Sequence, residues 1–550
     1  MRRLKIYILT GVAAMFTSCS DFLDTIPHDA LSPATTWKTE DDAQKFVVGC
    51  YDGWEDGGNI LYMDCTSDFG YNNFPWEGFT PLGNGTLTPA SPGNSFYDFK
   101  IIRRCNTFME NIDKIEFANA AVKKDLIAQV RTIRAYRYFV MNFLYGGVPI
   151  IDSYTSAQEA QVPRDTEAKV KQYIFDELDA SIPDLNDKPS ARGRIAKGGG
   201  LAIKMRSALY WDDFSRAQKA AQDIMALNQY DLESDYENLY KLSGQDSKEI
   251  ILAVQYIPSV KVLGTIGQMY NNADGGWSSI VPTQNLVNAY EMATGLTKEE
   301  AGSGYDPVHP FYGRDPRLGM TILVPGTVWR GSILNTLEEK IPNPNKPGEM
   351  MDSKNYPTKE DNCSKTSLTW RKYLDPIEQY PDLFKTSACP IVFRYAEVLL
   401  TYAETTNELT GPSSDIYDAL DQIRERVGMP KVDRVKYASK EKLRELIRRE
   451  RSVELAGEGI RRGDIMRWKD DSGKILAETV MNETLTRVVG TINYADGIDP
   501  YKRATIDVNA ELKNMKIEDR TFKAYQRYLP IPQENIDKNP KLEQNPGYGK

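Results

Sequence analysis

Apolar side chains recur at three- and four-residue steps through residues 118–145, at Val122, Leu126, Val130, Ile133, Val140 and Leu144, with Arg137 filling one position of the stripe. That period places them on one face of a helix, which Gly146-Gly147 and then Pro149 bring to an end. Similar patterns predict helices over 167–182, 196–211, 215–227, 395–409, 413–427 and 438–458. Short turns such as Gly198-Gly199-Gly200 and Gly411-Pro412 separate neighbours. Helix pairs of about 34 residues joined this way stack like tetratricopeptide repeats, although the strict repeat signature is absent. Between 250 and 390 the pattern changes. Strand-like pieces (Ile250 to Tyr256, Thr321 to Val324) stand among polar loops rich in Gly, Pro and Asn. The expectation is a mainly α protein. Its helical scaffold spans about 100–245 and 390–470, and an irregular layer with short strands spans about 51–100 and 250–390.

The first residues follow a different logic. Arg2, Arg3 and Lys5 precede a mostly apolar stretch from Ile6 to Phe16, too short to span a membrane. Thr17 and Ser18 lead into Cys19, followed by Ser20 and Asp21. This arrangement resembles a bacterial lipoprotein signal, with 1–18 removed and Cys19 lipidated as the new N-terminus. Phe16 and Thr17 depart from the commoner residues; the competing reading is an ordinary secretory signal that contains a cysteine. Two or three acyl chains hold a large body stably, whereas one holds it only marginally.

Loss of residues 1–18 moves the formal net charge from −9 to −12, which argues against nucleic acid as a partner. Beyond Cys19 the cysteines are Cys50, Cys65, Cys105, Cys363 and Cys389, an odd number without paired spacing, so neither a disulfide framework nor a zinc site is indicated. With only His28 and His309 present, histidine catalysis and histidine-rich metal sites are nearly excluded, and no cofactor is expected.

Residues 51–100 carry eleven aromatics, about twice the chain average, and eight glycines. Most of the aromatics are expected to plug the loop layer onto the helices, Phe96, Tyr97 and Phe99 among them. The others are left for a ligand. A second cluster runs from Tyr270 through Asn271, Asn272, Asp274, Gly275 and Gly276 to Trp277. The charged residues read structurally. Glu450, Glu454 and Glu458 share one helix face at four-residue spacing, with Arg451, Arg461, Arg462 and Arg467 nearby. A glycosidase needs a flanking carboxylate pair, but acids this closely matched by arginine favour ion pairing over a raised pKa. Arg394 and Glu397 belong to the same network, and Arg314-Asp315-Pro316-Arg317 reads as a turn clamp.

A long ordered set of short motifs then becomes visible. It comprises Cys19-Ser20-Asp21-Phe22-Leu23-Asp24, Ile102-Arg103-Arg104-Cys105-Asn106, Arg131-Thr132-Ile133-Arg134-Ala135-Tyr136-Arg137-Tyr138 and Tyr145-Gly146-Gly147-Val148-Pro149. Further on come Arg314-Asp315-Pro316-Arg317-Leu318, Phe393-Arg394-Tyr395-Ala396-Glu397, Glu450-Arg451-Ser452-Val453-Glu454-Leu455, Gly459-Ile460-Arg461-Arg462-Gly463-Asp464 and Tyr528-Leu529-Pro530-Ile531-Pro532, ending in Gln544-Asn545-Pro546-Gly547-Tyr548. Each is weak alone, but the ordered set over nearly the whole of 19–550 resembles the SusD/RagB family of nutrient-binding lipoproteins. Ser452 and Thr405 depart from its commoner arginine and alanine.

The resemblance implies one SusD-like domain over 19–550, anchored at the outer face of the outer membrane. It implies capture of oligosaccharide or polysaccharide, and a role as the lid of a SusC-type TonB-dependent transporter. The chain's own chemistry agrees, since sugars present apolar faces to Trp and Tyr rings and hydroxyls to planar polar groups. The candidate ligand residues are Asp64, Tyr71, Asn73 and Trp76 in one loop cluster and Asn272 and Trp277 in the other. Trp76, Trp277 and Tyr71 are the stacking rings, and the neighbourhood of Trp329 is the fallback location. Trp211 and Trp468 are assigned to the core. No catalytic residue is identified. The alternatives are a peptide-binding member of the family, a surface glycan hydrolase, and a transporter partner with no ligand contact of its own.

Overall fold

A computed structural model describes residues 37–153, 156, 158–357 and 362–549. Cys19 and the whole export signal lie outside the described residues. Eleven helices build the scaffold: α1 (Glu40–Tyr51), α2 (Gly57–Met63), α3 (Lys100–Asn111), α4 (Ala120–Tyr145), α5 (Glu167–Ser181), α6 (Lys197–Tyr210), α7 (Phe214–Ala226), α8 (Tyr395–Thr410), α9 (Ser414–Arg426), α10 (Lys440–Glu454) and α11 (Arg461–Arg467). Consecutive helices pair, α4 with α5, α6 with α7 and α8 with α9, and α7 lies against α8, so the stack continues across the intervening segment. The Gln218 amide of α7 donates to the Thr406 hydroxyl of α8 at 2.9 Å. This is the mainly α, helix-pair architecture that the periodicity predicts.

The long helix α4 is buried on nearly every side because α1, α3, α5 and α6 surround it. Asn119 caps its start by accepting from the Ala121 N–H at 2.9 Å. Gly146 ends it in the left-handed region, where a Cβ would collide with the Tyr528 ring. Two sequence expectations need correction. Gly198-Gly199-Gly200 form no turn: they are the first turn of α6, and they are glycine because a Cβ at Gly198 would collide with Tyr230 and one at Gly200 with Leu185. The helix expected over 438–458 stops at Glu454. Gly457, at positive φ, turns the chain so that Glu458 rejoins its neighbours from outside the helix.

The loop layer contains only two-stranded antiparallel ribbons among the described residues. The strands that matter are β1 (Gly70–Asn72), β2 (Ile250–Ala253), β3 (Ile280–Pro282), β4 (Val328–Trp329), β5 (Ser332–Ile333) and β6 (Ile391–Arg394). β1 pairs with β3, β2 with β6, and β4 with β5.

A buried ionic cluster joins layer to scaffold. Asp315 is gripped by Arg317 at 2.6 Å, as a turn clamp requires, and Arg317 also reaches Glu450 at 3.0 Å and Glu454 at 3.1 Å. Arg394 reaches Glu249, Glu454 and Glu458, each at 2.7 Å. Arg424 and Arg426 close the other flank on Glu450 and Glu454. The sequence placed these acids in an ion-paired network, but the partners are not the neighbours along the chain. Arg451 serves Asp464 and Glu397, Arg461 serves Asp68, Arg467 serves Glu404 and Asp464, and Arg462 donates to the Thr66 carbonyl.

Candidate functional site

The β1–β3 ribbon brings the two aromatic-rich loops together. Its register pairs Gly70 with Pro282 and Asn72 with Ile280, so the chain leaving β1 runs beside the chain entering β3. The Asn73 N–H then donates to the Ser279 carbonyl at 2.9 Å, and the Gln268 amide donates to Glu77 at 3.3 Å.

On this joined surface two rings are open to solvent. Trp76 is 77% exposed and lies nearly parallel to Phe74, with ring centres 4.8 Å apart. Trp277 is 41% exposed and leans on Phe384 at 4.5 Å. Each indole is braced from behind by a phenyl ring and presents its other side outward. Of the eleven aromatics in 51–100, Trp76 is the only one exposed; the others are buried or half-buried.

Next to these loops lies a cleft of about 560 Å³ whose walls include Asp274, Trp329, Arg330, Asn335, Asn355 and Tyr494. Asp274 organises it. Its carboxylate accepts from the Trp329 indole N–H at 2.6 Å, from the Asn271 amide at 2.7 Å and from Arg330 at 2.9 Å. Arg330, in the left-handed region at the β4–β5 turn, also bonds Glu378 at 2.7 Å. Tyr494 and Asn335 bond each other at 2.7 Å on the far wall. Gly275 and Gly276 are required in the turn that aims Asp274: the first has positive φ, and a Cβ on the second would collide with Tyr270. Asn272 sits at the rim, half-buried, its amide donating to the Lys354 carbonyl at 2.9 Å.

Three of the six sequence candidates lie inside the protein. Asn73 is buried and spends its amide on the Ser278 and Cys363 carbonyls, so it fastens one loop to the other. Tyr71, on β1, faces a small apolar cluster with Val281 and Leu485 and offers no stacking surface. Asp64 is fully buried below α2, where it accepts the Gly457 N–H at 2.7 Å. Trp211 and Trp468 are held in the scaffold as expected, their indoles donating to Glu167 and Glu404. Missed by the sequence were Arg330, Asn335, Asn355 and Tyr494; the Trp-Arg-Gly tripeptide at 329–331 was the one local signal available.

Asp64 carries a measurable consequence. Burial pushes its pKa up to about 6, against the opposing bond from Gly457. A carboxyl raised on folding contributes stability that is fully present below its unfolded value near 4 and is lost as pH rises through 6. Asp64→Asn keeps an acceptor for Gly457 and removes the ionisation. Relative to wild type, the variant should gain about 2 kcal/mol in urea unfolding between pH 4 and pH 7.5. A stability difference that stays flat over that interval would rule out an ionisation cost at Asp64.

The SusD family model matches residues 236–548, more than half of the chain. This chain belongs to the SusD family. The SusD-like protein P25 of Formosa agariphila is 24% identical over 482 residues, covering 82% of this chain and 87% of that relative. The crystal structure of a SusD-like carbohydrate binding protein from Bacteroides fragilis superposes with a TM-score of 0.77 at 26% identity, covering 92% of this chain and 99% of that one. Surface glycan-binding protein A from Bacteroides fluxus, at 19% identity and a TM-score of 0.67, covers 93% and 100% and shares the fold. The mainly helical SusD-like architecture is therefore established. The carboxylates that a hydrolase reading would recruit in this SusD-family protein are buried. Burial would raise Glu450 and Glu458, but Arg317 and Arg424 hold the first, and Arg394 and Lys372 the second, below the usual carboxylate range. A general acid needs the opposite shift.

Proposed function

We propose that this protein is a cell-surface lipoprotein that captures an oligosaccharide or polysaccharide and serves as lid to a SusC-type TonB-dependent transporter. The observation that carries the binding half is the pair of braced, outward-facing indoles, Trp76 and Trp277, on adjoining loops beside the Asp274–Trp329–Arg330 cleft. Flat apolar platforms next to fixed carboxylate, guanidinium and amide groups match the alternating faces and hydroxyls of a sugar chain. The carbohydrate-binding relative from B. fragilis supports the same class of ligand. Detergent-solubilised protein on a glycan array should bind a restricted set of oligosaccharides and ignore peptide controls. Binding confined to peptides would replace the glycan reading with the peptide one.

The anchor and the transporter rest on the Cys19 signal and on family membership. No described helix is long and apolar enough to cross a membrane, so membrane attachment would come from lipid at Cys19. Cys19→Ala should move the protein from the membrane fraction to the soluble fraction and abolish labelling by an alkyne fatty acid. A variant that remains in the membrane would point to another anchor. Pull-down of the native lipoprotein from membranes in mild detergent should bring a TonB-dependent barrel with it, and repeated recovery of the lipoprotein alone would count against the lid role.

A further inference from the structure

Among the described residues α1 is the first helix after Cys19, and it meets the scaffold along a narrow seam. Ala43, Val47 and Cys50 are its buried residues, at steps of four and three that keep them on one face, while Val48 on another side stands open. α3 answers with Ile101, Cys105 and Phe108, again at steps of four and three and all buried. Phe46 completes the seam, its ring centre 6.2 Å from that of Phe108.

Arg104 fixes where the two helices touch. Its guanidinium donates to the Gly49 carbonyl and to the Asp52 carbonyl, the latter at 3.1 Å, and so closes the end of α1. The residue before Cys105 thereby grips the residue before Cys50. A Cβ built on Gly49 would lie 3.8 Å from the Arg104 Cδ, which is ordinary packing contact. At this level the Cys50 and Cys105 thiols lie within hydrogen-bonding reach of one another, and both residues are fully buried. Both thiols are free. Cys363 and Cys389 instead donate to the Lys354 and Ser387 carbonyls, at 2.9 and 3.5 Å. Spacing along the chain hides the pair, because the whole 51–100 loop layer separates its members. In a reducing compartment two such cysteines act as small apolar side chains; outside it, adjacent thiols are the substrate for oxidation.

We propose that Cys50 and Cys105 are joined as a disulfide in the exported protein, tying the helix that follows the lipid anchor to the scaffold. The bond rests on the contact between the thiols; its compartment rests on the cell-surface reading. The oxidant is the disulfide of a thiol oxidase met after export. One cysteine thiolate attacks a sulfur of that disulfide, forming a mixed disulfide and releasing one oxidase thiol. The second cysteine then attacks the first, forming the Cys50–Cys105 bond and releasing the other oxidase thiol. Two protons and two electrons leave the pair, and the oxidase disulfide becomes a dithiol. The exchange precedes the closing of α1 onto α3, since burial raises the Cys105 thiol well above its ordinary pKa and denies it the thiolate form. A cross-link across the 51–104 stretch restricts the unfolded chain and so favours the folded one.

Peptide mapping of the native lipoprotein tests this. Membranes are dissolved in denaturant with N-ethylmaleimide, which blocks every free thiol, and the protein is digested without reductant. One cross-linked peptide should join Cys50 to Cys105, with Cys65, Cys363 and Cys389 carrying the label. Label on Cys50 and Cys105 overturns the inference, and so does a bond between any other two cysteines. The same digest reads the leader, so the two readings fall separately. Labelled Cys50 and Cys105 on a chain that lacks 1–18 defeat the disulfide and leave export standing; a cross-linked pair on a chain that retains 1–18 does the reverse. Unfolding supplies a second readout. Dithiothreitol in the urea series should lower the wild-type midpoint, and Cys50→Ala should start lower and show no further response to the reductant. A wild-type midpoint indifferent to dithiothreitol overturns the tie between α1 and α3.

Discussion

Replacing Arg394 with methionine is expected to cost the fold roughly 3–5 kcal/mol, read as a fall in the urea midpoint, because it takes one cationic partner from three buried carboxylates at once. Arg394 is buried, and its five donor bonds go to Glu249, Glu454, Glu458 and the Glu454 carbonyl. Burial alone would raise Glu454, yet Arg426, Arg394 and Arg317 hold it far below the usual carboxylate range. Removing one of the three guanidinium groups lets that carboxyl climb and leaves Glu249 and Glu458 short of a partner. Arg394→Lys should recover only part of the loss, since one ammonium cannot face three acids in a planar fork. A separate chain of buried ion pairs, Glu404–Arg467–Asp464–Arg451–Glu397, also bears on the acid limit. Glu404, buried and gripped by Arg467, is brought down to about 2. A depressed carboxyl contributes stability that is present above its unfolded value near 4.5 and is lost as pH falls toward 2. Unfolding on acidification should therefore begin below pH 4.5 in wild type and at higher pH in Arg394→Met. A methionine variant with an unchanged urea midpoint would mean that the cluster adds nothing to stability.

The scaffold was legible because each helix carries its own periodic stripe and its own stop signal; Gly146 and Gly411 mark the ends of α4 and α8 in the chain itself. The ionic cluster was legible in kind but not in pairing. Glu450 and Arg451 are adjacent in sequence, yet a helix turns successive side chains about 100° apart, and the partners of Glu450 and Glu454 arrive from β6, α9 and the Asp315 clamp. Gly198 and Gly200 misled because the reason for them lies at Tyr230 and Leu185, distant contacts that leave no local trace. For the candidate site, composition pointed to two loops that the fold brings together and could not separate their inner from their outer faces. Tyr71 and Trp76 stand five positions apart; the first belongs to a strand whose side chain turns inward to Val281 and Leu485, and the second lies just past the strand where the chain emerges. Tyr494 joins the cleft from a remote part of the chain, paired there with Asn335, and no pattern in the sequence links the two.

The double variant Trp76→Ala, Trp277→Ala should abolish measurable affinity for whichever oligosaccharide the glycan array identifies. Truncating a central stacking ring typically costs on the order of 2 kcal/mol, and two such losses along one ligand amount to a hundredfold or more. The fold should tolerate both changes, because rings exposed to this degree contribute little of the burial that stabilises a core. Unaltered circular dichroism and urea midpoint would establish that. Trp329 allows stacking to be separated from polar contact. Trp329→Phe keeps an aromatic face in the cleft but gives up the indole N–H that Asp274 accepts, freeing the Asp274 carboxylate and loosening Arg330, which shares it. A chain lying across the two exposed indoles with its end in the cleft would lose affinity in both experiments, more steeply in the double variant. If calorimetry instead shows full affinity in the folded double variant and loss only at Trp329, the ligand occupies the cleft alone. The exposed tryptophans would then need another partner, and their position on the rim of the loop layer makes the transporter barrel the first one to test by pull-down with the same double variant.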